Sequence, residues 1–277
     1  MNIPNDTALP FFAYGIFKPG QLCFPRIEDL IRETVEVKVN GILKERDGIP
    51  LLIESVYSKI KGYLIYFNSG SEGDAYRRII EIEPDEVYQW SEIKVNNDII
   101  SNVLLGRKKQ RGSSDLEHVG EWDGRNDPFF VQGLDEVETI LKNNSKFDWE
   151  YKSLFRLQMA YTFLWSAIER YAGLKYHLGK KTNEKVYQIA NEKCFAESLK
   201  KNVKGVREVF STTDLNSYKL DPEDPKKSLK YYYQVRSNAV HRGKGVIRDF
   251  NTIKLSLEEL LAIFKDMLGE AFKKEKK

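Results

Sequence analysis

Val35, Val37 and Val39 alternate with Glu36 and Lys38, the period of two that a half-buried strand requires. The same reading extends across the first hundred residues. Pro10 to Tyr14 is a short apolar run that stops at Gly15. Gly62 to Phe67 is a second, closed by the turn cluster Asn68 to Ser71. Trp90–Val95 and Ile99–Leu105 predict a hairpin across Asn96-Asn97-Asp98. Short helices are expected near Ile27–Arg32 and Ala75–Glu83. Gly106 to Asp127 is polar, glycine-rich and aperiodic, and predicts an extended loop. Leu134, Val137, Ile140 and Leu141 then share one helical face before Asn143-Asn144-Ser145.

From Phe147 the period becomes helical. Leu154, Leu157, Tyr161, Leu164, Trp165, Ile168 and Ala172 recur at three and four positions. Further helices are expected over Glu184–Val203, Ser228–His241 and Leu255–Phe272, with Asp214–Pro225 as a polar break and Gly243 and Gly245 as a stop. The expectation is an α+β protein with two domains. Residues 9–143 form a small mixed β-barrel-like domain with short helices, whose core is 9–106. Residues 147–277 form an all-α helical bundle.

Composition narrows the class. The 277 residues are 41% hydrophobic and 31% charged, the balance of a folded globular chain. No apolar run reaches the ~20 residues of a membrane helix, and MNIPNDTALP lacks the basic flank and apolar core of a secretory leader. Cys23 and Cys194 stand alone, and His118, His177 and His241 share no ligand spacing with them. A cytoplasmic protein without a structural metal or cofactor is expected.

Charge then singles out one stretch. The chain carries 44 basic against 41 acidic residues, yet Lys226 to Arg248 holds seven Lys or Arg and no Asp or Glu. Within it, Arg236-Ser237-Asn238-Ala239-Val240-His241 joins a permanent cation to a side chain that titrates near neutrality. In a regular helix Arg236 and His241 lie about 140° apart, so a joint site asks for a helix end, a bend or a second copy of the chain. A purely structural reading is equally open. Arg236 would then pair with Glu169 to fix helix packing, and His241 would complement a helix C-terminus.

R-x-x-x-x-H near the end of a helical segment resembles the HEPN superfamily (higher eukaryotes and prokaryotes nucleotide-binding). Tyr231 to Gly243 is similar to that family's Y-x-x-R-S-x-x-x-H-x-G form, and Tyr161 to Tyr171 to its earlier long helix with an acidic residue, here Glu169. The resemblance implies metal-independent endoribonuclease activity, in which a 2′-hydroxyl attacks its own phosphodiester. It also extends to members that only bind nucleotides. On this reading His241 is the general acid or base and Arg236 stabilises the phosphate. Asn238 orients one of them and Glu169 holds Arg236. Lys227, Lys230, Arg242, Lys244 and Arg248 guide RNA, and Tyr231 to Tyr233 offer faces for bases, at least one of them pointing into the core. A homodimer through the helical domain would supply a second histidine.

Phe11 to Gly20, reading FFAYGIFKPG, resembles the Y-G-S/T-L-x-x-G opening of gamma-glutamylcyclotransferase-like domains. Gly41-Ile-Leu43, Gly48-Ile-Pro50 and Lys61-Gly-Tyr-Leu64 follow in that family's order, over residues 9 to 106. The resemblance implies a pocket at Tyr14, Gly15 and Gly20, with Glu83 at the acid–base position. Ile80 stands where the family has Asp, Pro84 where it has Gly, and Ile16-Phe17 where it has Ser/Thr-Leu.

Three functions follow. One is an RNA-cleaving enzyme with a ligand-sensing front domain, in a toxin or phage-defence setting. A second is a cyclotransferase with a helical dimerisation domain. The third is a non-catalytic nucleotide- or RNA-binding protein.

Overall fold

A three-residue strand, β1 (Phe11–Ala13), is the centre of the front half. In the computed structural model, which describes residues 1–46, 48–95, 99–107, 117–176, 182–211, 216–242 and 247–273, all three of its residues are buried. It pairs antiparallel with β5 (Lys59–Phe67) and parallel with β7 (Ile99–Gly106). With β2 (Ile31–Asn40) and β6 (Tyr88–Val95) these make a five-stranded mixed sheet of order β2-β5-β1-β7-β6. A second sheet has the order β4-β3-β8, from β3 (Ile42–Arg46), β4 (Ile49–Ile53) and β8 (Glu117–Val119). Pro50 is tolerated in β4 because that strand is an edge. No ladder among the described residues closes the five strands into the expected barrel.

Several local expectations change. The segment near Ile27–Arg32 is a 3-10 turn, Glu28–Leu30, that feeds β2. Helix α1 covers Glu72–Ile80, so Glu83 lies past its end. Within the expected loop 106–127, β8 pairs with β3 and Trp122 is buried, its indole N–H donating to the Gly48 carbonyl at 3.1 Å. Hydrophobic burial, which periodicity does not register in so short a segment, holds this piece in place. The turn Asn96–Asp98 lies outside the described residues.

The chain divides into two compact units. One is Met1–Asp127 with Leu174–Lys180 and Phe272–Lys277; the other is Pro128–Gly173 with Lys181–Ala271. The boundary therefore falls before α2 (Gln132–Asn143), which belongs to the second unit instead of closing the first. Phe129 stacks on Phe163, Phe130 meets Phe264 edge-on, and Glu138 pairs with Lys265.

In the second unit, α3 (Lys152–Lys175) begins where the Asp148 carboxylate accepts the Lys152 and Ser153 N–H groups. The expected helix over Glu184–Val203 is two, α4 (Thr182–Gln188) and α5 (Lys193–Asn202). Glu192 between them is extended and accepts the Tyr171 hydroxyl at 2.8 Å. A hairpin, β9 (Arg207–Phe210) and β10 (Ser217–Leu220), follows, so this unit is not all-α. Helix α6 (Pro225–Arg242) and α7 (Ile247–Ala271) complete it. Among the described residues no helix is long and apolar enough to cross a membrane.

Candidate functional site

Helix α6 presents its residues on different faces. Tyr231 and Tyr232 point inward: the first shares a 3.2 Å hydrogen bond with Ser256, and the second donates to Glu259 at 3.2 Å. Tyr233 is half-buried with its ring 5.7 Å from that of Trp165. Two of the three tyrosines are thus core residues, unable to stack on a base.

Arg236 is half-buried, and its Nε is fully buried with no hydrogen-bond partner. Its guanidinium makes no ion pair among the described residues. The expected Glu169–Arg236 pair does not form: Glu169 accepts the indole N–H of Trp165, one turn earlier on α3, at 2.9 Å. An i,i+4 neighbour on the same helix holds the carboxylate locally. Asn238 is committed elsewhere. Its amide donates to the Phe210 carbonyl at 2.8 Å and its carbonyl accepts from Gln234 at 2.8 Å, so it ties α6 to the hairpin. Helix α6 runs through both Arg236 and His241, and its described residues reach Arg242. The side chains of His241 and Arg242, and all of Lys244, lie outside the described residues.

The basic stretch is not one patch. Lys227 and Lys230 are exposed in the first turns of α6, roughly 22 and 18 Å along the axis from Arg242. Lys227 is paired with Asp224 at 3.0 Å, which raises its pKa.

Between α6, α7 and the hairpin is a pocket of about 500 Å³ that periodicity did not indicate. Phe210, Val235, Asn238, Arg248, Asp249 and Ile253 line it. Asp249 Oδ2 is buried and has no hydrogen-bond partner. No signal in the chain marks this site, because its walls come from four segments, in α3, the hairpin, α6 and α7.

In the front unit, Tyr14, Gly15, Pro50, Glu83, Tyr88 and Leu104 line one cavity of about 20 Å³. That is room for about one water molecule. Gly20 takes φ 75° and is not among its lining residues. The Tyr14 hydroxyl donates to the Leu104 carbonyl at 2.5 Å and Tyr88 to that of Pro50 at 2.6 Å, which fixes both rings. Lys18, buried in the loop that follows Gly15, is anchored to the Trp122 carbonyl at 2.5 Å and to Glu121 at 3.0 Å. Glu83 is half-buried as a residue, but burial of its carboxyl pushes the pKa up to about 8. It forms no hydrogen bond or ion pair among the described residues. The neighbouring Cys23 thiol is likewise pushed up, by burial first and by the Glu83 charge second.

No known family model, curated protein or solved structure matches this chain.

Proposed function

We propose that the helical unit is a metal-independent endoribonuclease of the HEPN type. The observation that carries this reading is the Arg236 guanidinium, whose buried Nε has no partner near the end of α6. Buried polar groups of folded proteins are almost always satisfied, and the exceptions ask for an explanation. A phosphate oxygen is the natural partner of a guanidinium. Arg236 would hold the scissile phosphate and stabilise its growing charge, and His241, five residues on, would move the proton. Asn238 would act by fixing α6 to the hairpin. A homodimer would bring two histidines to one phosphodiester, so that one accepts the 2′-hydroxyl proton while the other protonates the 5′-oxygen leaving group. The setting is a cytoplasmic toxin or defence protein with a regulatory front unit. Purified protein with labelled RNA in EDTA, beside His241→Ala, tests it: cyclic-phosphate ends that vanish in the variant are expected, and no cleavage by the wild type overturns it.

A second reading concerns the front unit and is favoured by Glu83. A carboxyl with a pKa of about 8 is largely protonated at neutral pH and able to donate to an amide or carboxylate. That chemistry suits a gamma-glutamyl cyclotransferase-like centre with a barrel-like scaffold. A cavity of about 20 Å³ holds no glutamyl group without opening, which suits a small-ligand sensor better than a turnover site. Release of 5-oxoproline from gamma-glutamyl amides, lost in Glu83→Gln, would establish turnover; binding without release would leave sensing.

A further inference from the structure

We infer that the pocket between α6, α7 and the hairpin reads a guanine base. This inference rests on the reading of the helical unit as an RNA-cleaving module and names its base preference. Asp249 lies in the first turn of α7, where a carboxylate ordinarily accepts a backbone N–H or faces water. It does neither fully: Oδ2 is buried, and neither oxygen accepts a hydrogen bond among the described residues. The pocket it lines, about 500 Å³, is of the size that holds a nucleotide-like ligand.

The walls specify the ligand class. Phe210 is 49% exposed on the hairpin, an aromatic face on which a base can stack. Val235 and Ile253 supply apolar surface, and Arg248 stands exposed at the lining. Gln158 and Arg248 supply donors at the lining, and the other polar groups beside Asp249 are in use. The Asn238 amide goes to Phe210, the Thr252 hydroxyl to Arg248, and Glu208 accepts from Ser217. The open hydrogen-bonding capacity at Asp249 is that of its carboxylate oxygens, which accept. Guanine presents two adjacent donors, N1–H and the N2 amino group, which match two carboxylate oxygens. Adenine and cytosine each place an acceptor nitrogen beside their amino group, and uracil flanks its one N–H with two carbonyls. Only guanine satisfies Asp249 without an acceptor–acceptor clash. Asn238 lines this pocket, so a base seated here would lie against the helix that carries Arg236.

The test is calorimetric titration of the full chain with guanosine, inosine and adenosine 5′-monophosphates, run beside cleavage of an RNA and its inosine-substituted copy. Guanosine monophosphate is expected to bind about tenfold or more tighter than the other two. Asp249→Asn should remove that preference. Phe210→Ala should weaken all three nucleotides while keeping their order, which guards against an unfolded variant. Equal binding of the three nucleotides, or a preference that survives Asp249→Asn, overturns the inference. A guanosine preference in a chain that cleaves no RNA sustains the pocket and removes the nuclease reading. Cleavage that ignores guanine, with equal nucleotide binding, sustains the nuclease and removes the pocket.

Discussion

Arg207 on β9 and Glu259 on α7 form a two-pronged ion pair, with Arg207 Nη1 donating to Glu259 Oε1 at 3.0 Å and Nη2 to Oε2. Tyr232 of α6 donates to the same carboxylate at 3.2 Å, and the Tyr232 carbonyl accepts the Tyr161 hydroxyl at 3.0 Å. One carboxylate thus joins the hairpin to two helices, and a further hydrogen bond extends the network to α3. The hairpin is what closes the Asp249 pocket, so this pair positions the pocket's Phe210 wall.

Arg207→Ala leaves Glu259 buried at 6% side-chain exposure with only a tyrosine to satisfy it. A loss of ~3 kcal/mol in urea unfolding is expected, near the low end for breaking a buried pair because Arg207 is itself a quarter exposed. The double change Arg207→Met with Glu259→Leu should recover most of it. A single variant as stable as the wild type would show that the pair is not a structural tie.

Glu83 makes stability depend on pH in a defined direction. Its folded pKa of about 8 lies above the ordinary 4.5, so the native state holds its proton more tightly than the unfolded chain. The contribution is full below about pH 4.5, declines as pH rises to about 8, and is constant above. Glu83→Gln removes this decline, and its advantage over the wild type should grow to a few kcal/mol (order of magnitude) across that window. Urea midpoints for both proteins from pH 4 to 9 measure it.

Gly62 packs against the backbone of β1. A Cβ there would sit 2.7 Å from the Ala13 carbonyl oxygen and 2.5 Å from Phe12 Cζ. Gly62→Ala should cost ~1–3 kcal/mol by overpacking and displace the Tyr14-Gly15 turn that follows. Loss of front-unit stability in hydrogen exchange, with the helical unit unchanged, is the expected signature.

For the nuclease, His241→Ala should lower the cleavage rate by ~10²–10⁴-fold. Arg236→Lys should also be strongly impaired, because an ammonium lacks the planar donor pair of the guanidinium. DNA of the same sequence, without the attacking hydroxyl, should survive. Rates should persist in EDTA and fall as salt rises. Equal cleavage of RNA and DNA would exclude the mechanism.

The alternation at Val35–Val39, the runs at β1, β5, β6 and β7, and the three-four period of α3 and α7 were legible because each depends on near neighbours. So was the succession of a strand-rich half by a helical one. The hairpin at Arg207–Leu220 was not. Its strands are four residues each, and what holds Arg207 in place is Glu259, 52 positions away. Likewise the chain marked Arg236 and Glu169 as chemically suited partners, but Trp165 stands one turn from Glu169 and takes its carboxylate. Glu83, Tyr14 and Gly15 were assembled from the order of a family's motifs; that they line one cavity, and that the cavity is small, is decided by packing. Sequence fixes periodicity, local charge and the residue types on offer. Which buried donor meets which acceptor, and which of them, like Arg236 Nε and Asp249 Oδ2, meets none, is settled by long-range packing, because burial removes the water that would otherwise satisfy every group alike.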